Sequence, residues 1–130
     1  MELKERIDLA RSALATFREL VGRASVSAVE RDAAIQRFEY SFEAMWKAAR
    51  AWLHAVEGLE PGSPKGVIRA CRQVDVLDDE AARLALEMVD DRSLTVHAYN
   101  EKLARVIYER LADYASLMTR WLETMAARAS

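Results

Sequence analysis

From Leu3 to Ala24 the apolar residues fall at Leu3, Ile7, Ala10, Leu14, Phe17 and Val21. Steps of three and four place them on one face of a helix, so this stretch is predicted as the first helix. Ser25-Val26-Ser27 breaks the pattern, and Ser27 with Glu30 three residues later has the spacing of a capping box. The second helix starts there and is predicted to run to about Val56. Its inward stripe is Ile35, Phe38, Phe42, Met45, Ala49, Trp52, Leu53 and Val56, and Gly58 ends it ahead of a Pro61-Gly62 turn.

Three further helices follow. Ser63-Pro64 offers an N-cap with proline at the first helical position, predicting a short helix from Pro64 to about Val74. Asp78 can cap a fourth from Asp79 to Arg92, and Asn100 a fifth from Glu101 almost to the end. In the fifth, Leu103, Ile107, Leu111, Tyr114, Leu117, Met118, Trp121, Leu122 and Met125 read as inward. Strand-like alternation, repeats and low-complexity tracts are absent. The expectation is an all-α, antiparallel (up-and-down) helical bundle with three long and two short helices, forming a single domain over residues 1–130. The wide stripes of helices two and five leave apolar surface over, which predicts a homodimer.

Composition supports this. Apolar residues make up 52% and charged residues 31% of 130, the balance of one folded domain. A net charge of −2 gives no bulk attraction to nucleic acid or anionic membrane, so non-specific DNA binding is not expected and any phosphate site needs a local arginine cluster. The single Cys71 reads as a small core residue in a reducing compartment. Met1 to Arg6 lacks the apolar run of a signal peptide, and no uncharged apolar stretch is long enough for a membrane helix; a soluble, cytoplasmic protein is the expectation.

Candidate chemistry concentrates in "DRSLTVHAYN", Asp91 to Asn100, where the helical pattern falters. Arg92 and His97 are five residues apart and on a continuous helix would diverge by about 140°. They converge only if the helix stops between them, as Thr95-Val96 and the Asn100 cap suggest. An arginine presents rigid donors to a phosphate, and a histidine exchanges a proton near neutral pH. The pair therefore suits metal-independent phosphodiester chemistry, with His97 moving the proton and Arg92 stabilising charge on the phosphoryl oxygens. The alternative is structural: arginine satisfying carbonyls at a helix end, and a loop histidine bonded to backbone. Arg-x4-His alone does not separate the two.

The segments "RFEYSFEAMWK" (Arg37 to Lys47), "SPKGVIR" (Ser63 to Arg69) and "DRSLTVHAY" (Asp91 to Tyr99), in this order, resemble the nucleotidyltransferase substrate-binding protein family of the HEPN superfamily. The resemblance implies a HEPN-type bundle, usually dimeric, working with a separately encoded minimal nucleotidyltransferase and holding nucleotide or RNA phosphate. In the toxin branch, Arg-x4-His-x-Tyr forms a metal-independent ribonuclease site across the dimer, and the transferase silences it by adenylylating the tyrosine. The matching positions here are Arg92, His97 and Tyr99. Many members carry Asn or Asp directly after the arginine, where this chain has Ser93.

Other residues carry two readings each. Tyr40, Glu43 and Lys47 share the outer face of helix two, either as a solvated face with a weak Glu43–Lys47 pair or as an interface with a second subunit or the transferase. Trp46 lies at the edge of the core stripe and Trp52 within it. His54 is expected to meet the helix-end carbonyls and solvent. Arg69 and Arg72 are candidates to add positive charge beside Arg92. The acids Asp75, Asp78, Asp79 and Glu80 read as a helix start favoured by the helix dipole, rather than as a metal site. No Gly-Ser turn with paired aspartates, P-loop, Rossmann or zinc pattern is present, so no metal or cofactor is expected and the transferase must be another polypeptide.

Overall fold

The computed structural model describes residues 1–129. Its helices are α1 (Leu3–Arg18), α2 (Ala28–Trp52), α3 (Pro64–Gln73), α4 (Asp79–Leu94) and α5 (Glu101–Ala129). A π turn, Leu53–Glu57, continues α2, and a 3₁₀ turn, Thr95–His97, continues α4. No strand occurs among the described residues.

The four predicted caps form. Ser27 Oγ accepts from Glu30 N at 3.1 Å while the Glu30 carboxylate accepts from Ser27 N at 3.1 Å. These bonds, first of all the backbone one, hold the Glu30 carboxyl below its ordinary pKa. Ser63 Oγ accepts from Gly66 N, Asp78 Oδ1 from Ala81 N and Asn100 Oδ1 from Leu103 N. Each satisfies one of the donors that a helix start leaves free.

Side-chain bonds between helices fix the topology. Arg37, early in α2, donates to Thr16 O near the end of α1, and Tyr108, early in α5, donates to Leu20 O. Arg11, early in α1, pairs with Glu123, late in α5. Arg110 and Tyr114 of α5 reach Asp91 near the end of α4. Thus α1 and α4 run antiparallel to the two long helices, α2 and α5. The core lies between them, with Phe17, Phe38, Met45, Trp52, Tyr114 and Trp121 all fully or almost fully buried.

Two boundaries differ from the periodicity. α1 stops at Arg18 rather than Ala24, because the chain reverses through Gly22 at φ +69° and side chains from α2 and α5 take its last carbonyls. Val21 is consequently only partly buried. At the end of α2 the π turn rotates Val56 off the stripe, leaving it 43% exposed, while Leu53 stays buried. Gly58 closes that turn at φ +69°. Cys71 is buried in the core as expected. No described helix is long and apolar enough to cross a membrane.

Candidate functional site

The inward stripe of α4 runs Ala82, Ala85, Met88, Asp91 and ends at Thr95 on the following 3₁₀ turn, so a carboxylate occupies an apolar register. Asp91 is 4% exposed. Its oxygens accept from Arg110 Nη1 at 2.8 and 3.0 Å, and Tyr114 Oη donates to the same group. Burial, reinforced by the adjoining Asp91, raises the Tyr114 phenol above its ordinary pKa. Two α5 side chains thereby clamp the last turn of α4 against the core.

One residue further on, the helix turns by about 100° and Arg92 faces α2 instead. Its Nη1 lies 3.1 Å from Glu39 Oε2 and 3.0 Å from Thr95 Oγ1. The Thr95 hydroxyl has a single proton and two acceptors within reach, Arg92 O at 2.6 Å and Glu39 Oε2 at 3.0 Å. The Arg92 Nε is buried without a partner. Arg92 therefore keeps donor capacity, but Glu39 offsets its charge.

The α-helix ends at Leu94, between Arg92 and His97, and continues as the tighter 3₁₀ turn. His97 is exposed beyond it, and Tyr99 is 85% exposed. The two rings meet edge to face with centroids 6.0 Å apart, and Tyr99 Oη is 3.5 Å from His97 Nδ1. Arg92 and His97 share no hydrogen bond; within one chain the structure joins His97 to Tyr99, and Arg92 to Glu39 and Thr95. An open cleft of about 510 Å³ lies alongside, between α2 (Val29, Asp32, Ala33, Gln36, Glu39) and the segment carrying Thr95, Ala98 and Tyr99.

The remaining candidates lie elsewhere. Arg72 pairs with Asp79 at the start of α4, which raises its pKa and leaves it 13 residues, about 20 Å of helix, from Arg92. Arg69 is exposed on α3, one turn before Arg72. The α3 side chain brought to the Arg92 end is Lys65, with Nζ 2.9 Å from Asp90. Asp78 serves as a cap. On the outer face of α2, Tyr40 is 57% exposed, and Glu43 lies 3.7 Å from Lys47 while accepting from Trp46 Nε1. Arg50 stacks over Trp46 at 5.6 Å. His54 pairs with Glu60 across the turn at 2.9 Å, and Ser93 Oγ bonds back to Val89 O.

Glu39, Asp91 and Thr95 were not singled out by spacing. Asp91 and Thr95 carried a signal, since polar residues on an inward stripe announce a buried network. Glu39 sits inside "RFEYSFE" beside core Phe38, and only the packing of α4 on α2 shows what it faces.

The bundle and the site at the end of α4 define a HEPN-like helical protein. Residues 5–127 match the family model described as "Nucleotidyltransferase substrate binding protein like", and the chain belongs to that family. A crystal structure of a Thermus thermophilus protein is 64% identical, superposing with a TM-score of 0.88 over 89% of this chain and 98% of that one. The Shewanella oneidensis HEPN toxin, solved tri-AMPylated in complex with its MNT antitoxin, is 15% identical. It shares the fold at a TM-score of 0.77, over 96% of both chains. A toxin-antitoxin MntA-HpeT mutant gives the same identity and score, over 96% of this chain and 97% of that one. No curated protein matches this chain.

Proposed function

We propose that this protein is the substrate-binding subunit of a two-protein nucleotidyltransferase system. It dimerises, pairs with a separately encoded minimal nucleotidyltransferase, and presents Tyr99 as the acceptor of a nucleotidyl group. The observation that carries this is the Tyr99 hydroxyl, displayed at the surface 3.5 Å from His97 Nδ1. In the transfer, Tyr99 Oη attacks the α-phosphorus of a nucleoside triphosphate. The bond to pyrophosphate breaks, and the phenolic proton passes to His97. Family membership supplies the partner class.

Exposed apolar side chains support dimerisation. Val29 and Tyr99 line the cleft, Leu94 and Val96 flank Thr95, and Tyr40 follows Glu39, so five of the large exposed apolar residues gather around one site. A second copy covering them would bring a second Arg92 and His97 near the first pair. Tyr40, Glu43 and Lys47 continue this face as the surface for the second subunit or the transferase.

The second reading, a metal-independent ribonuclease silenced by nucleotidylation of Tyr99, is favoured by the exposed His97 beside the modifiable tyrosine. One experiment separates the two. The protein and a folded His97→Ala variant are incubated with end-labelled RNA in excess chelator, and both are tested for binding to a minimal nucleotidyltransferase. Binding without cleavage supports the subunit reading. Cleavage by the parent alone makes the ribonuclease primary, and loss of both activities removes the proposal.

A further inference from the structure

The cleft beside Tyr99 differs in charge from the phosphate chemistry expected of Arg92. Asp32, Gln36 and Glu39 stand at spacings of four and three on α2, one polar row along its wall, and no cationic side chain among the described residues lines the cleft. The guanidinium of Arg92 is at the far side of Glu39. Asp32 has only a distant partner, Arg31 Nε at 3.8 Å, which leaves its acceptors open. Two carboxylates repel a free phosphate but accept from hydroxyl and amino groups. Val29, Ala33 and Ile35 add apolar wall for a flat ring. The volume, about 510 Å³, falls within the range of small-molecule sites.

We infer that this cleft is a ribonucleoside subsite, holding the sugar and base of a nucleotide whose phosphate sits at Tyr99. Asp32 and Glu39 accept from the ribose hydroxyls, Gln36 meets the base edge, and the phosphate points outward to Tyr99 and His97. This rests on Tyr99 as nucleotidyl acceptor, yet the subsite itself needs neither partner nor modification. The same sugar and base could come from a nucleotide joined to Tyr99 or from an RNA strand.

The test titrates the unmodified full chain with adenosine, uridine and 2′,3′-dideoxyadenosine, following backbone amides by NMR. Adenosine is expected to shift signals of residues 29–39 and 95–99, and the dideoxy analogue to bind about tenfold more weakly, because it leaves the carboxylate acceptors unpaired. Ala33→Trp fills the cleft and abolishes these shifts with the spectrum otherwise intact; Gln36→Ala, milder, weakens adenosine at least threefold. Preference for adenosine over uridine identifies the Tyr99-linked nucleotide as the source, and equal binding an RNA strand. The inference is overturned by absence of shifts, by shifts elsewhere on the surface, or by equal binding of the dideoxy analogue. If adenosine binds but no transferase does, the subsite stands and the pairing fails. If Tyr99 is nucleotidylated but adenosine does not bind, the reverse holds.

Discussion

Glu39 and Arg92 meet 3.1 Å apart across the α2–α4 interface, so the arginine of the site is charge-compensated before any ligand arrives. Glu39→Gln keeps the size of the side chain and removes its charge. It should raise affinity for a short fluorescent oligoribonucleotide several-fold at low salt, measured by anisotropy. The pair is partly exposed, so the stability cost in urea should stay at or below about 1 kcal/mol. Unchanged RNA affinity would show that Arg92 does not meet phosphate.

The Asp91 clamp should behave as a unit. Tyr114→Phe removes one donor and is expected to cost about 1 kcal/mol, whereas Asp91→Ala strands the buried Tyr114 hydroxyl and should cost about 2 kcal/mol or more. In a double-mutant cycle by urea denaturation, the two losses should fall short of additivity. Strict additivity would mean that the bond contributes nothing.

Alkaline pH offers a separate test of the same tyrosine. Its folded-state pKa is raised, so its contribution is intact below the unfolded value near 10 and is lost as pH climbs from there through the folded value. Unfolding free energy should fall above about pH 10, and Tyr114→Phe should make that fall shallower. A variant with the parent's slope would contradict the assignment.

Cys71 is a buried thiol whose pKa desolvation pushes up to about 12. At pH 8 the native protein should react with a thiol-specific disulfide reagent only at the rate of its own opening, and the urea-unfolded chain within seconds to minutes. Prompt stoichiometric labelling of the native state would place the thiol at the surface.

Two aromatic substitutions should part company. Phe38 is fully buried against Phe17, Phe42 and Tyr114, so Phe38→Ala should cost about 3–5 kcal/mol. Tyr99→Phe should leave stability within about 0.5 kcal/mol while abolishing transfer of labelled nucleotide by the transferase. Labelling that survives Tyr99→Phe would move the acceptor to another residue.

The bundle was legible because its signals are local and redundant. Three-four spacing and four side-chain caps located α2 to α5, and the structure repeats their starts at Ser27, Ser63, Asp78 and Asn100. The errors fall where long-range contacts decide. Arg37 and Tyr108 take the carbonyls at the end of α1, and neither is near in sequence. The site was half legible. Arg92, His97 and Tyr99 stand close together in the chain, whereas Glu39 is 56 residues from the Thr95 it binds. Lys65 reaches the end of α4, and Arg72 stays at its start, because α3 folds back antiparallel to α4, a relation that composition does not encode.

The π turn at Leu53–Glu57 also bears on how this chain can change over descent. A π turn holds about one residue more than an α turn, so it acts as an insertion absorbed inside a helix instead of in a loop. Deleting one residue there would restore an α turn but swing everything beyond it by about 100°. That would move Leu59, whose N–H bonds to Leu53 O, and the Ser63 cap that starts α3. Lineages of this protein are therefore expected to vary the side chains of this stretch freely and its length hardly at all.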